Sequence, residues 1–85
     1  MKYRKKPIEV EAFRFGEKYD VMPFWIIEAS NMGYIRIDFD EDTAVIDTLE
    51  GTMTVNPGDW IVKGIKGELY PVKHDIFIET YEDVE

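Results

Sequence analysis

The last third of the chain constrains the fold most, because turn signals divide it into very short segments. Asn56-Pro-Gly-Asp59 fits a type II turn, in which proline suits the second position and glycine accepts the positive φ of the third. Lys66-Gly67 predicts a second turn, so Trp60–Lys63 and Leu69–Val72 become the two strands of a hairpin. Pro71 has no amide hydrogen to donate, which places the second of these strands at a sheet edge.

The segment after this hairpin predicts a short closing helix. Asp75 can cap its first turn through a side-chain oxygen. Phe77, Tyr81 and Val84 then fall near one face of the helix. Ile76-Phe-Ile78 would also suit a strand, so both alternatives stay open at this point.

The first apolar stretch of the chain, Ile8–Phe15, alternates as a strand does. Its predicted inward face holds Ile8, Val10 and Ala12. The apolar positions then slip to Phe13 and Phe15, which indicates a β-bulge or a change of packing surface. A loop at residues 16–20 follows.

A helix is predicted after this loop. Pro23 suits its first turn, it runs to about Met32, and Gly33 is placed for a left-handed C-cap. The apolar stripe of this helix holds Trp25, Ile26 and Ala29, widened by Phe24 and Ile27. Because so short a helix is not stable alone, we expect it to lie against a sheet.

A strand and a hairpin are predicted in the middle of the chain. Tyr34–Phe39 alternates, and its predicted inward face holds Ile35, Ile37 and Phe39. After an acidic turn at 40–42, Ala44–Leu49 and Thr52–Val55 flank Glu50-Gly51, which is predicted to be a two-residue loop. The opposed pairs in that register are Ile46 with Val55, Thr48 with Met53, and Asp47 with Thr54.

Together these segments predict an α+β fold, a single domain of residues 1–85 with a curved antiparallel sheet of five or six strands and two short helices. A chain of 85 residues is too short for two independent cores. It has no cysteine, which excludes disulfides and thiolate metal sites and favours an intracellular setting. No apolar run approaches the ~20 residues that cross a bilayer. Glu9 and Glu11 follow the basic N-terminus where a signal peptide would be apolar, so we expect a cytoplasmic protein with no membrane contact.

The charge is large and unevenly distributed. The net charge is −8, from 18 acidic and 10 basic residues, which disfavours direct binding to nucleic acid or anionic membrane. The acidic residues concentrate at 38–42 and 79–85. The first six residues form a basic arm with Lys2, Arg4, Lys5 and Lys6. An ordinary solvated surface explains this distribution; an arm that touches an acidic partner, and an acidic mimic of nucleic acid, are the functional alternatives.

The chain resembles a family of small uncharacterised bacteriophage and prophage proteins, and the resemblance extends from end to end, with a looser match at 16–43. The segments that carry it are Lys2–Pro7, Ile8–Ala12, Thr48–Met53, Pro57–Trp60, Lys63-Gly64, Lys66–Glu68, Tyr70-Pro71, Asp75–Phe77 and Thr80–Glu82. Relatives often carry cysteine at the position of Val72 and proline at that of His74. The resemblance implies expression in the bacterial cytoplasm and brings no established activity, catalytic residue or cofactor.

Three groups of residues carry hypotheses of chemistry. Asp38-x-Asp40-x-Asp42 begins like a calcium loop but has Thr43 where the sharp turn needs glycine, so a solvated turn is preferred and no metal site is predicted. His74-Asp75 would need Ser30, the only serine, to form a nucleophilic triad. An enzyme would require a cleft that joins Asp59, Glu68, Tyr70 and His74.

Turns and helix capping explain most residues of the C-terminal third. The residues that they do not explain define a predicted binding surface. That surface consists of Trp60, Lys63, Glu68 and Tyr70. Lys63–Gly67 itself is interpreted as a tight hairpin and not as a phosphate loop, because it lacks the Walker spacing. The leading hypothesis is a non-catalytic phage accessory protein that binds a host or phage protein or a small ligand. The alternative is an assembly role as a homo-oligomer joined through the Leu69–Val72 edge, and a small enzyme or acidic mimic comes third.

Overall fold

The structure, a computed structural model, describes residues 1–4, 6–16 and 21–84. Six strands and two helices confirm the predicted α+β class. In chain order they are β1 (Glu11–Arg14), α1 (Phe24–Asn31), β2 (Ile35–Asp38), β3 (Thr43–Thr48), β4 (Gly51–Val55), β5 (Trp60–Lys63), β6 (Leu69–Val72) and α2 (His74–Thr80). The predicted loop at 16–20 lies, beyond Gly16, outside the described residues. No helix in the described ranges is long and apolar enough to span a membrane.

The six strands are divided between two antiparallel sheets of three strands each, whereas one curved sheet of five or six strands was predicted. One sheet has the order β1-β5-β6 and the other the order β2-β3-β4. Strands β3 and β4 lie against β6, and α1 lies against β2. As predicted, β6 is an edge strand, and Pro71 is paired with Ile61 on its inner side.

A single apolar core lies between the sheets and α1. Its buried members are Phe15, Ile26, Ala29, Ile35, Ala44, Ile46, Val55 and Ile61. The predicted helix is confirmed, and Gly33 follows it at a φ of 83°, as a left-handed C-cap requires. The predicted widening of its apolar stripe by Phe24 and Ile27 is wrong, because both side chains are exposed. Phe39 is also exposed, since β2 ends at Asp38 and the chain turns before the next inward position.

The first strand is shorter than predicted, and its inward face is different. β1 covers only Glu11–Arg14, and Ile8 is exposed, so the predicted face that includes Ile8 does not form the core. The core instead receives Phe15, with Phe13 packed against it. The buried part of this segment therefore begins where the apolar residues were predicted to change from one face of the strand to the other.

The hairpin of β3 and β4 has a register different from the predicted one. The turn residues are Leu49 and Glu50, so Thr48 is paired with Gly51 and Ile46 with Met53. Gly51 has a φ of 113°, which matches hairpins that place a glycine of positive φ directly after the turn. The Thr48 hydroxyl closes the turn, donating to Gly51 O at 2.7 Å and accepting from Glu50 N at 3.2 Å.

The predicted turn at Asn56–Asp59 is confirmed and joins the two sheets. Asp59 N donates to Asn56 O at 3.0 Å, and Gly58 has a φ of 92°, as the third position of a type II turn requires. The turn is bound to the end of β1, because Gly58 N donates to Phe15 O at 2.8 Å and Phe15 N donates to Asp59 O at 2.8 Å. A Cβ on Gly16 would lie 2.9 Å from Pro57 Cα, so only glycine permits this approach.

The core can be tested at Ile61, which is 0% exposed, against Ile65, which is 67% exposed. We expect Ile61→Val to lower the free energy of unfolding by about 1 kcal/mol and Ile61→Ala by about 3 kcal/mol, because each leaves a larger cavity. Ile65→Ala should change it by less than about 0.5 kcal/mol. Denaturant unfolding of the three variants measures this. Equal losses at the two positions would contradict the assignment of the core.

Candidate functional site

A cleft of about 1080 Å³ lies between α1, the β3–β4 hairpin and the β5–β6 hairpin. Apolar side chains from all three elements line it: Trp25, Ala29, Met32, Tyr34, Ile46, Leu49, Met53, Leu69, Tyr70 and Pro71. Charged side chains also border it, namely Glu28, Asp47, Glu50, Lys63, Lys66 and Glu68. An apolar lining with a few charged groups is typical of binding sites.

The structure brings three of the four predicted surface residues to this cleft. Lys63, Glu68 and Tyr70 line it, but Trp60 does not. Successive side chains of a strand point to opposite faces, so the side chain of Trp60 leaves β5 on the face opposite to that of Lys63. The side chain of Trp60 is therefore directed away from that of Lys63. Tyr70 borders the cleft but shares the face of Trp60, since it is paired with Val62 across β5 and β6.

Ion pairs at the border of the cleft are exposed. Arg36 Nη1 lies 3.0 Å from Asp47 Oδ2, and Arg36 Nη2 donates to Asp47 Oδ1 at 3.1 Å. The hydrogen bond from Arg36 lowers the pKa of Asp47 from its ordinary value. Lys63 Nζ lies 3.9 Å from Glu11 Oε2. Exposed pairs of this kind add little stability.

The predicted tight hairpin at Lys63–Gly67 is confirmed. Gly64 N donates to Glu68 O at 2.8 Å, Gly67 N donates to Gly64 O at 3.0 Å, and Gly67 has a φ of 84°. The Glu68 carboxyl group lies over Gly64, where any Cβ would collide with it. The backbone amides of this turn are thus used within the hairpin, and the absence of a side chain at Gly64 makes room for the Glu68 side chain.

A stack of aromatic rings joins α2 to the first sheet. The Trp60 and Phe77 ring centroids are 3.9 Å apart with an interplanar angle of 8°, and those of Phe77 and Tyr81 are 4.9 Å apart. Trp60 Nε1 donates to His74 Nδ1 at 3.1 Å. The Tyr70 and Tyr81 hydroxyl oxygens are 3.2 Å apart. Because α2 has no fully buried residue among those described, this stack is its main attachment.

The closing helix is therefore confirmed over the strand alternative, with one correction. It begins at His74, and its N-cap is Lys73, which makes no capping hydrogen bond through its side chain. Asp75 lies in the first turn and is not the cap; its charge still suits the positive end of the helix dipole. Phe77 and Tyr81 lie at the predicted i and i+4 spacing and meet in the stack, whereas Val84 is exposed.

The structure does not assemble the other candidate sites. Asp38 Oδ1 accepts from the N–H groups of Asp40 and Glu41, which is the geometry of a turn. Within residues 1–4, 6–16 and 21–84, no group of three or more His, Asp or Glu could hold a metal ion. The Nδ1 atom of His74 is bonded to Trp60, and no hydrogen bond between Ser30 and His74 is found in the described part of the chain.

The four residues required of an enzyme do not share the cleft. Glu68 and Tyr70 line it, but Asp59 and His74 do not. The Asp59 carboxylate is buried, accepts from Asn56 N at 3.0 Å and lies 3.7 Å from Lys73 Nζ. Its role is to hold the turn at residues 56–59.

Sequence reasoning missed the apolar part of the cleft. Trp25 and Met32 on α1, and Leu49 and Met53 at the β3–β4 hairpin, come from segments that are far from Tyr70 in the chain. Their convergence depends on how the two sheets pack, so no local spacing could indicate it.

Compared with protein-family models, with curated proteins and with solved structures, the chain gives no match.

Tyr70 provides a pH-dependent test of the stack. Burial, the hydrogen bond with Tyr81 and the nearby charges of Tyr81 and Glu68 raise the pKa of Tyr70 to about 12. An unfolded tyrosine has a pKa of about 10. The neutral hydroxyl therefore contributes stability in full below about pH 10, and this contribution is lost as the pH rises towards 12.

We expect the tyrosinate absorbance to show one group that titrates near pH 12. Tyr81→Phe should lower that midpoint, because the hydrogen bond is removed while the burial remains. Tyr3→Phe, at an exposed position, is the matched control and should leave the midpoint in place. If Tyr81→Phe also left it unchanged, the contact between the two hydroxyls would be refuted.

The attachment of α2 can be tested at Phe77. Phe77→Ala removes the ring between Trp60 and Tyr81, and we expect the free energy of unfolding to fall by about 2 kcal/mol. The helical amides of Phe77 and Tyr81 should also exchange hydrogen faster. Ile76→Ala and Ile78→Ala, at exposed positions of the same helix, should have effects below about 0.5 kcal/mol. Equal effects in all three variants would show that the stack does not hold the helix.

Proposed function

We propose that this chain is a non-catalytic accessory protein of a bacteriophage or prophage, which binds a segment of a host or phage protein in its cleft. The observation that carries the proposal is the composition of the cleft. Apolar side chains from α1 and both hairpins are combined there with Lys63 and Glu68, two residues that turn chemistry had not explained. Such a site can bind an apolar anchor of a partner and orient it by charge.

The size of the cleft favours a protein segment over a small ligand. Its volume of about 1080 Å³ is at or above the upper end of the range of roughly 300–1,000 Å³ for pockets that enclose small molecules. Three separate elements border it, which gives contacts along an extended segment and not only around one buried group. Aromatic and methionine side chains, here Trp25, Tyr34 and Met53, are enriched in protein interfaces.

The phage origin is supported by the resemblance stated above. Its most specific part, from Pro57 to Glu82, covers the β5–β6 hairpin and α2, and it includes Lys63, Glu68 and Tyr70. A binding surface built from that segment would thus be shared among the proteins that the chain resembles.

The alternative role is a homo-oligomer joined along β6. The backbone hydrogen bonding between β5 and β6 disfavours it. Gly64 and Glu68 form a hydrogen-bonded pair, and such pairs alternate along an antiparallel ladder. The backbone groups of Leu69 and Pro71 therefore point to the free edge of β6. Pro71 has no amide hydrogen, so one of the two donors that an added strand would need is missing.

The proposal is tested by comparing what the wild-type protein and two variants capture from lysates of infected and uninfected bacteria. Leu49→Lys puts a positive charge at the border of the cleft, at a fully exposed position where folding should be unaffected. Phe39→Lys makes the same change at an exposed position outside the cleft. We expect a partner that is retained by wild type and Phe39→Lys and reduced at least tenfold with Leu49→Lys.

Unchanged thermal unfolding of the two variants is the control for folding. A partner that binds all three proteins equally would show that the binding surface lies outside the cleft. Failure to capture any partner in repeated experiments, including a second differently tagged copy of this chain, would contradict the protein-binding function itself.

A further inference from the structure

The basic arm and the rest of the chain have opposite charges. Four of the ten basic residues are Lys2, Arg4, Lys5 and Lys6, so six basic residues remain to offset all 18 acidic ones. The arm therefore carries +4, and residues 7–85 carry −12. Charges separated in this way along a short chain attract one another when two copies meet.

The described residues of the arm are presented to solvent. Residues 1–4 and 6–9 are all exposed, and none of them belongs to a strand or helix. No ion pair involving Lys2, Arg4 or Lys6 is found in the described part of the chain. Tyr3 is 89% exposed, so the arm also offers an aromatic anchor between two cations.

The cleft offers what such an arm requires. Glu28, Glu50 and Glu68 border it, and their carboxylates take part in no ion pair within the described residues. The opposing cations are Lys66 and Lys63, and Lys63 already has Glu11 as a neighbour. The apolar lining, with Trp25 and Met53, can receive an aromatic ring.

We propose that the cleft binds the basic N-terminal arm of a second copy of this chain, with Tyr3 against the apolar lining and Lys2 and Arg4 facing Glu50 and Glu68. This inference rests on the proposed function, since it names the partner that the cleft takes. Two copies can exchange arms reciprocally, so the two contacts are identical and the assembly closes as a twofold dimer. The seven residues Met1–Pro7 span about 23 Å when extended, which is enough to lie along a neighbour's cleft.

The arm of the same chain is the poorer occupant. It enters the first sheet at β1, and β1 and β6 are the opposite edges of that sheet. The described residues of the arm are all exposed, and none of them lines the chain's own cleft. Pro7 has a fixed φ and disfavours the helical region for Lys6, so this stretch is biased towards an extended conformation.

The sharpest test reverses the charges of the arm and of the cleft in separate variants. It predicts that each variant alone loses the dimer and that a mixture of the two recovers it. The arm variant is Lys2→Glu with Arg4→Glu, and the cleft variant is Glu50→Lys with Glu68→Lys. At low salt we expect wild type to have twice the 10.0 kDa mass of the chain in light scattering or sedimentation. Each double variant alone should be monomeric, because arm positions 2 and 4 and cleft positions 50 and 68 then have charges of the same sign.

An equimolar mixture of the two variants should recover the dimer, since positions 2 and 4 of each arm then meet positions 50 and 68 of opposite charge on the other chain. Glu41→Lys with Glu79→Lys is the matched control, because it changes the net charge equally at exposed positions outside the cleft. This control should remain dimeric. High salt should weaken the wild-type dimer by at least tenfold, since the contact is largely electrostatic.

The absence of cysteine allows the arm to be located directly. Chains with Tyr3→Cys and chains with Leu49→Cys, mixed under oxidising conditions, should form a disulfide between copies. Tyr3→Cys mixed with Phe39→Cys, which lies outside the cleft, should do so at least tenfold less.

Three results would overturn the inference. The first is a wild-type chain that is monomeric at all concentrations, and the second is a dimer that neither charge reversal dissociates. The third is a chain with both Tyr3→Cys and Leu49→Cys that crosslinks only within itself. A monomer that still captures another protein through the cleft would leave the proposed function standing, so the two failures are distinguishable.

Discussion

The structure depends on the turn at Asn56–Asp59, because it is where the chain passes from one sheet to the other. The turn follows Val55 and is two residues before Ile61, and both of these side chains are fully buried. It also holds the end of β1 through two backbone hydrogen bonds with Phe15. A buried carboxylate is costly unless its oxygens are bonded, and Asp59 meets this condition inside the turn through Asn56 N. One short segment thus fixes the relative position of the two sheets.

That arrangement also creates the cleft. Because β3 and β4 lie against β6 and α1 lies against β2, the β3–β4 hairpin and the β5–β6 hairpin border the same space. The opposite face of the first sheet is left for α2, which attaches through Trp60. The two faces of β5 therefore have different roles. Lys63 faces the cleft, and Trp60 secures the closing helix.

The sequence could predict the elements because they are defined locally. Proline and glycine at residues 56–59 require a particular turn, and the four-residue spacing of Phe77 and Tyr81 requires a helix for the two rings to meet. The β3–β4 register could not be predicted in the same way. Glu50-Gly51 and Leu49-Glu50 both give plausible turns, and both place Ile46 and Val55 on the same face. The observed register is accompanied by two hydrogen bonds of the Thr48 hydroxyl, to Gly51 O and from Glu50 N, which the spacing of residues did not indicate.

The residues that line the cleft were predicted only in part, for a related reason. Residues left over after turn chemistry are good candidates for function, and this identified Lys63, Glu68 and Tyr70 at the cleft. The same reasoning included Trp60, which instead attaches α2. Sequence alone does not show on which face of the sheet a tryptophan lies, so it does not distinguish a tryptophan that packs against a helix from one that contacts a ligand. The apolar lining from Met32 and Leu49 has no local signal at all.

The uneven charge gains a physical meaning once the cleft is known. An acidic surface explains solubility, but it does not explain why four cations are gathered in six residues at one end. Scattered through the chain, those cations could pair with neighbouring carboxylates, as Arg36 does with Asp47. Gathered on an exposed arm, they are presented to whatever carboxylates approach, and Glu28, Glu50 and Glu68 offer such groups beside an apolar surface. Charge would then draw the arm to the cleft and orient it, while an aromatic ring against the apolar lining would add to the affinity.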